Sequence, residues 1–210
     1  MIKFHLFLFM KIAFIIAIIS INLFSQDIGV VISAGPGINT GNLGNWVNSY
    51  QMGANLSLDF INESGIYRFS FNPETSEINT KKSIDISGET WPENIQINFM
   101  SFQLLYGYPI NLEKNQFTFY VGLSINWLDA PNDYDDEFEL VGNKNKSTSI
   151  CFGPSIQFSW KRPIPFWFIY PFDLPFTVET GAIYPGFERL DSDLSGLHLY
   201  IKAGVYFGKY

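Results

Sequence analysis

The chain has 210 residues, of which 47% are hydrophobic and 18% aromatic, while only 16% are charged. Soluble globular domains carry about 25% charged residues, so the chain is short of charge, and it is far too apolar to be disordered. Its formal net charge of −7 and its sequence pI near 4.7 exclude a nucleic-acid partner, which would require a basic face.

Residues 1–25 have the layout of a secretory signal peptide. Two lysines and an unbroken apolar run over 12–19 precede the small residue Ser25, after which polar residues return. The apolar run is shorter than the roughly 20 residues that a membrane-spanning helix needs, so an uncleaved anchor is the less favoured alternative. We expect cleavage after Ser25, which leaves 26–210 as the mature chain.

Apolar and polar residues alternate one by one through most of the mature chain. This two-residue period is typical of β-strands whose two faces lie in different environments. The segments with this pattern are 28–38, 51–60, 66–72, 95–108, 117–127, 149–160, 173–184 and 197–208. The pattern therefore predicts eight strands, the even number that closed single-chain bacterial barrels require.

The polar face of these strands distinguishes a membrane barrel from a soluble sandwich. A sheet face in bulk water normally carries charged residues, whereas the polar positions of 51–60, 117–127 and 149–160 are mostly Gly, Ser, Asn and Gln. Small polar residues fit the crowded lumen of a narrow barrel, and the opposite face carries no charge. We therefore predict an all-β fold, an antiparallel transmembrane up-and-down β-barrel that spans 26–210.

Two segments depart from the regular pattern. In 95–108 the apolar phase shifts after Phe99, which predicts a β-bulge and places Phe99 on the outward face. The aromatic, proline-rich stretch 161–172 is too long for a simple turn, and it leaves a ten-stranded barrel as the alternative to eight strands.

The lengths of the connections predict the orientation of the barrel. The turns at 61–65 and 109–116 are short, whereas the linkers 39–49, 73–94 and 128–148 are longer and polar. Membrane barrels have short periplasmic turns and long outer loops, so we expect both termini in the periplasm.

In its strand number, its alternation and its connections the chain resembles the small eight-stranded outer-membrane proteins of the OmpA/OmpX type. The resemblance implies a location in a Gram-negative outer membrane, contact with lipid and lipopolysaccharide, and folding by the barrel-assembly machinery. Family members usually end in an outward-facing aromatic residue; here Phe207 keeps the outward phase, but Tyr210 is out of step with it. We further expect a monomer.

Four charged residues are predicted in the lumen. Pairing 51–60 with 66–72 across their short turn places Asp59 opposite Arg68, and the last two strands can place Glu179 opposite Lys202. Buried charges require partners, so we interpret these residues as structural ion pairs that fill a narrow lumen. A gated ion path is the alternative interpretation.

No other constellation indicates chemistry. His198 lies at the level at which outer-membrane enzymes act on lipid A, but its neighbours supply no nucleophile, and we expect it to be a lumen residue. The acidic residues between Asp129 and Glu139 lack the turn glycine of a calcium loop, and Cys151 lies among small residues as a packing group. We therefore assign no catalytic residue, metal site or cofactor.

These observations predict a non-enzymatic outer-membrane barrel with an envelope-structural or surface-contact role through its outer loops. Two alternatives stay open. One is an outer-membrane enzyme that modifies lipids, and the other is a secreted soluble β-barrel that binds an apolar ligand with its apolar faces turned inward.

Overall fold

The computed structural model describes residues 27–47, 50–79, 81, 83–86, 89–91, 93, 96–129, 148–165, 173–187 and 194–208. The predicted signal peptide, the acidic linker after Asp129, the second half of 161–172 and Tyr210 lie outside the described residues. Among the described residues, no helix is long and apolar enough to cross a membrane.

The described part of the chain is almost entirely strand. The elements in chain order are β1 (Asp27–Asn39), the short helix α1 (Gly41–Trp46), β2 (Tyr50–Asn62), β3 (Gly65–Asn79), β4 (Ile84–Ile86), β5 (Glu89–Trp91), β6 (Gln96–Leu112), β7 (Asn115–Asp129), β8 (Thr148–Pro165), β9 (Asp173–Ile183) and β10 (His198–Phe207).

Eight of these strands form one closed antiparallel barrel. In chain order the barrel strands are β1, β2, β3, β6, β7, β8, β9 and β10. Each of them pairs with the next, and β10 closes the sheet by pairing with β1. The strands β4 and β5 form a separate two-stranded sheet. The predicted eight-stranded barrel is thus confirmed, and the structure does not support the ten-stranded alternative in the described residues.

Burial alternates along the barrel strands as the sequence period predicts. On β7 the side chain of Leu123 is 65% exposed, whereas its neighbour Ser124 is completely buried. Successive side chains of a strand point to opposite faces, so Leu123 lies on the outside of the barrel and Ser124 in the lumen. The same alternation on β1 buries Val31 and Ser33 and exposes Ile32.

The sequence pattern predicts a bulge directly after Phe99, with Phe99 on the outward face. This prediction is wrong. Strand β6 pairs with β7 without interruption from Asn98 to Leu112, and Phe99 is only 3% exposed. The irregularity lies instead in the neighbouring strand, between Glu74 and Ile78. An apolar residue on the lumen face mimics a phase shift in the sequence, because the lumen at this level is lined by rings rather than by polar groups.

The two ends of the barrel differ. At one end, which we call the hairpin end, tight turns join Asn62 to Gly65 and Leu112 to Asn115. The other end, which we call the α1 end, carries α1 and the residues that precede β10. There Thr40 donates its backbone N–H to the carbonyl of Leu197 at 2.8 Å.

Buried apolar side chains close the α1 end of the lumen. These are Leu43, Trp46, Val47, Phe99, Phe187 and Leu194, each at most 3% exposed. The ring of Phe99 packs edge-on against that of Phe187, with centroids 5.8 Å apart. Such burial contributes about 1.5–3 kcal/mol per large apolar side chain, so these residues hold the α1 end together.

Candidate functional site: a buried ion cluster in the lumen

Five charged side chains meet in the lumen, and each is at most 1% exposed. They are Asp59 on β2, Arg68 on β3, Lys161 on β8, Glu179 on β9 and Lys202 on β10. Each occupies an inward position of its strand, so the two-residue period aims all five at the barrel axis. We call these five residues the ion cluster.

Asp59 and Arg68 are brought together by the register of β2 and β3, which sets them directly opposite each other. The guanidinium donates from Nε to Asp59 Oδ1 at 2.6 Å and from Nη2 to Oδ2 at 2.8 Å. Two parallel charge-assisted hydrogen bonds fix both the distance and the plane of the two groups.

Arg68 also reaches across the lumen to Glu179. Its Nη1 donates to Glu179 Oε1, so that one guanidinium joins two carboxylates. The second carboxylate oxygen of Glu179 accepts hydrogen bonds from Ser33 Oγ at 2.8 Å and from Asn55 Nδ2 at 2.7 Å. The buried carboxylate is therefore hydrogen-bonded on both oxygens, as a charge removed from water requires.

Lys161 belongs to the ion cluster but is absent from the sequence-based prediction. Its ammonium donates to Asp59 Oδ2 at 2.9 Å. Strand β8 continues to Pro165, so Lys161 keeps the lumen phase of Gln157 and Ser159. The two-residue period could have indicated the lumen position of Lys161, but the predicted strand 149–160 ends one residue earlier and leaves Lys161 in the connection.

Lys202 lies opposite Glu179 in the register of β9 and β10. Its ammonium also donates across the lumen, to Asn72 Oδ1 at 3.0 Å and to the carbonyl of Ala54 at 3.0 Å. Hydrogen bonds thus join Asp59, Arg68, Glu179 and Lys161 into one network rather than separate pairs, and Lys202 lies opposite Glu179 at its side.

Tyrosine rings pack against the cations of the ion cluster. Arg68 Cζ lies 4.3 Å from the ring centroid of Tyr120, and Lys161 Nζ lies 3.8 Å from that of Tyr206. Both distances are within the range of favourable cation–π contact. Tyr120 lies over Gly107 of the neighbouring strand, where an added Cβ would be 2.4 Å from a ring carbon. The absence of a side chain at Gly107 therefore gives the ring its place in the lumen.

The ion cluster is suited to closing the lumen rather than to catalysis. An eight-stranded barrel has an interior just wide enough for side chains to fill, and these five side chains with Tyr120 and Tyr206 reach into it from six strands. The charged oxygen atoms of Asp59 and Glu179 already accept hydrogen bonds from the barrel. In the described ranges, no group of His, Cys, Asp and Glu residues could hold a metal ion.

His198 lies at the α1 end of the lumen and is completely buried. Its Nδ1 is 2.9 Å from Asn39 Oδ1, and its ring packs on that of Phe99 with centroids 5.2 Å apart. The imidazole therefore faces the lumen rather than the outer surface, where a lipid substrate would be. Cys151 is also buried on the lumen face.

Comparison with known proteins identifies barrels of the same kind. The structure of Neisserial surface protein A (NspA) matches with a TM-score of 0.57 at 10% identity, over 85% of this chain and 95% of that one. The attachment invasion locus protein Ail of Yersinia pestis matches with a TM-score of 0.42 at 13% identity, over 88% and 99% of the two chains. The N-terminal β-barrel domain of Pseudomonas aeruginosa OprF matches with a TM-score of 0.42 at 11% identity, over 85% and 97%.

No family model matches the chain, and no curated protein matches it at a significant level. The likeness to NspA shows the fold alone, and it confirms the predicted resemblance to small eight-stranded outer-membrane barrels.

Proposed function

We propose that this protein is an integral outer-membrane barrel without enzymatic activity, which serves the envelope as a structural element or as a surface-contact protein through its outer loops. One observation carries the proposal: the barrel is apolar on the outside and charged on the inside. Large outward side chains around the wall are about half exposed, among them Ile32, Leu56, Leu104, Phe119, Leu123, Phe152 and Ile201. A soluble monomer rarely exposes an apolar surface that continues round the molecule, whereas a lipid-facing wall requires one.

The lumen supports a contact or structural role rather than transport. The ion cluster lies across its interior, and Phe99, Phe187 and His198 pack together at the α1 end. Bulk passage of solutes would have to displace hydrogen-bonded, buried charges, whose desolvation is costly. A rigid, filled barrel is a stable base for the segments that join its strands.

The difference between the two barrel ends supports an orientation. Turns of the kind found at the hairpin end are the short periplasmic turns of membrane barrels, so we place the hairpin end and both termini in the periplasm. The α1 end then faces outward, towards lipopolysaccharide. We propose that residues 1–25 are cleaved on export, that the barrel-assembly machinery inserts the barrel as a monomer, and that lipid surrounds its wall.

The test is a separation of envelope fractions followed by electrophoresis in SDS with and without boiling. We expect the protein in the outer membrane, with faster migration before boiling because the folded barrel stays compact in cold SDS. An epitope inserted into the 128–148 connection should be accessible to antibody on intact cells. A soluble periplasmic protein without a heat-dependent shift would contradict the proposal and favour a soluble barrel with an apolar ligand.

The enzymatic alternative requires a separate experiment. We expect the lipid A of cells that express the protein to have the same mass as that of cells without it. A mass change that is lost in a His198→Gln variant with normal heat-dependent migration would show that the barrel modifies lipid.

A further inference from the structure

Arg162 on β8 is a cation on the outward face of the barrel wall. Its neighbour Lys161 is completely buried in the lumen, whereas Arg162 is exposed. Because successive side chains of a strand point to opposite faces, the guanidinium lies on the side of the wall that faces lipid. Within the part of the chain that the structure describes, Arg162 has no hydrogen bond or ion pair with another residue. Its charge is therefore available to a group outside the chain.

Arg162 lies immediately beyond the apolar band of its strand. The outward positions of β8 from Ile150 to Trp160 are all apolar, and this run is about 33 Å long at about 3.3 Å per residue. Strands of membrane barrels are tilted by about 35–45°, so the run is about 25 Å tall, which is the usual height of the apolar band. Arg162 is the next outward position, at the level where the phosphates of the lipid head groups begin.

The neighbouring strand β7 marks the same level. Its outward apolar run begins at Phe117, which pairs with Trp160, and the polar residue Asn115 precedes that run. The indole N–H of Trp160 donates to Asn115 Oδ1 at 3.1 Å. A ring with an apolar body and a hydrogen-bonded polar end is typical of the membrane–water interface. The apolar faces of β7 and β8 therefore end together, beside Arg162.

Aromatic rings cover the wall on the membrane side of Arg162. Arg162 is opposite Phe176 in the register of β8 and β9, and the ring of Phe176 packs edge-on against that of Trp160, with centroids 6.4 Å apart. Phe158, the next outward residue of β8, stacks on Phe117 with centroids 6.0 Å apart. A lipid whose phosphate contacts the guanidinium can therefore lay its acyl chains along a continuous apolar surface.

We propose that Arg162, Trp160 and Phe176 form a binding site for one anionic glycerophospholipid of the leaflet that faces the periplasm. The guanidinium donates two hydrogen bonds to the phosphodiester oxygens, for which its planar fork is suited, and the acyl chains lie on the two rings. Phosphatidylglycerol fits this site because its head group carries no cation that would repel Arg162. The inference rests on the proposed insertion of the barrel with its hairpin end in the periplasm.

The test measures quenching of tryptophan fluorescence in vesicles of phosphatidylcholine and phosphatidylglycerol, in which only one of the two lipids carries brominated chains. The difference between the native protein and Trp160→Phe isolates the signal of Trp160. At equal mole fractions we expect phosphatidylglycerol to be preferred about fivefold beside Trp160, the effect of one basic residue near an anionic surface. Arg162→Gln should remove the preference, whereas Lys114→Gln, which removes the same charge from the exposed β6–β7 turn, should leave it unchanged.

Equal quenching by the two lipids in the native protein, or a preference that survives Arg162→Gln, would overturn the proposal. A preference lost equally in Lys114→Gln would also overturn it, because the charge of the hairpin end alone would then attract the lipid. If Arg162→Gln does not fold, native mass spectrometry of the unaltered protein decides: we expect one phosphatidylglycerol to be retained in preference to phosphatidylcholine, and equal retention refutes the site. Failure of the native protein to insert into vesicles would contradict the proposed function instead.

Discussion

Asp59 is the anion that accepts most of the hydrogen bonds from charged donors in the ion cluster, so Asp59→Asn is the sharpest perturbation of it. The carboxylate accepts hydrogen bonds of 2.6, 2.8 and 2.9 Å from Arg68 and Lys161, and it is completely buried. Asn has nearly the same shape but no charge, and its amide nitrogen would face one of the two cations. The substitution therefore leaves two buried cations with only part of their compensation.

The expected cost follows from these contacts. Each hydrogen bond to a charged group contributes about 1.5–3 kcal/mol, and removing one partner of a buried ion pair costs about 3–5 kcal/mol in measured cases. Because the three bonds converge on one group, their contributions overlap, and we expect the free energy of unfolding to fall by about 3–5 kcal/mol. That is a large share of the 5–15 kcal/mol typical of a folded protein.

The assay is urea unfolding of the barrel in lipid vesicles, followed by tryptophan fluorescence and by heat-dependent migration. The matched control is Glu113→Gln, the same change of carboxylate to amide in the exposed β6–β7 turn, which should alter stability by at most about 0.5 kcal/mol. The double variant with Lys161→Met should recover part of the loss, because it removes one uncompensated cation. A loss below about 1 kcal/mol in Asp59→Asn would refute the assignment of Asp59 as the anionic centre.

Three other substitutions test the wall, the lumen packing and the histidine. Leu123→Arg should cost about 2–4 kcal/mol in vesicles if Leu123 faces the middle of the bilayer, and a change within 0.5 kcal/mol in urea unfolding would contradict lipid contact. Gly107→Ala should cost about 1–3 kcal/mol because its Cβ would overlap the ring of Tyr120; thermal unfolding unchanged by the substitution would show that the ring has room to move. His198→Ala should cost about 1–3 kcal/mol by removing the partner of the buried Asn39 side chain, with no change in the lipid A mass spectrum, and a stability equal to that of the native protein would contradict the contact with Asn39.

The strands and the proximity of Asp59 to Arg68 could be predicted because both depend on local order in the chain. A two-residue period reports which face a residue occupies, and a tight turn fixes the register of the two strands that it joins. That is why the period locates all eight strands, although β3, β6 and β8 continue four to seven residues beyond their predicted ends, and why the sequence sets Asp59 and Arg68 opposite each other.

The rest of the ion cluster depends on contacts across the lumen. Arg68 bonds Glu179 although the two residues are far apart in the chain and their strands are not neighbours, and no local pattern reports such a contact. Lys161 was missed because the end of a strand is less sharply marked than its middle. The face of Phe99 could not be predicted because the lumen at the α1 end is itself lined by apolar side chains, so an inward aromatic residue there cannot be distinguished from an outward one.

The central claim is that the apolar face of the barrel contacts lipid and the polar face lines the lumen. The most direct measurement places single cysteines, in a Cys151→Ala background, at the outward β7 positions 121, 123 and 125 and, as a control, at position 114 in the exposed β6–β7 turn, and labels them with a fluorophore in vesicles. We predict strong quenching by nitroxides on the lipid chains at 121, 123 and 125, and weak quenching at 114. Quenching at 121, 123 and 125 that is no stronger than at 114 would contradict the lipid-facing assignment of the barrel wall.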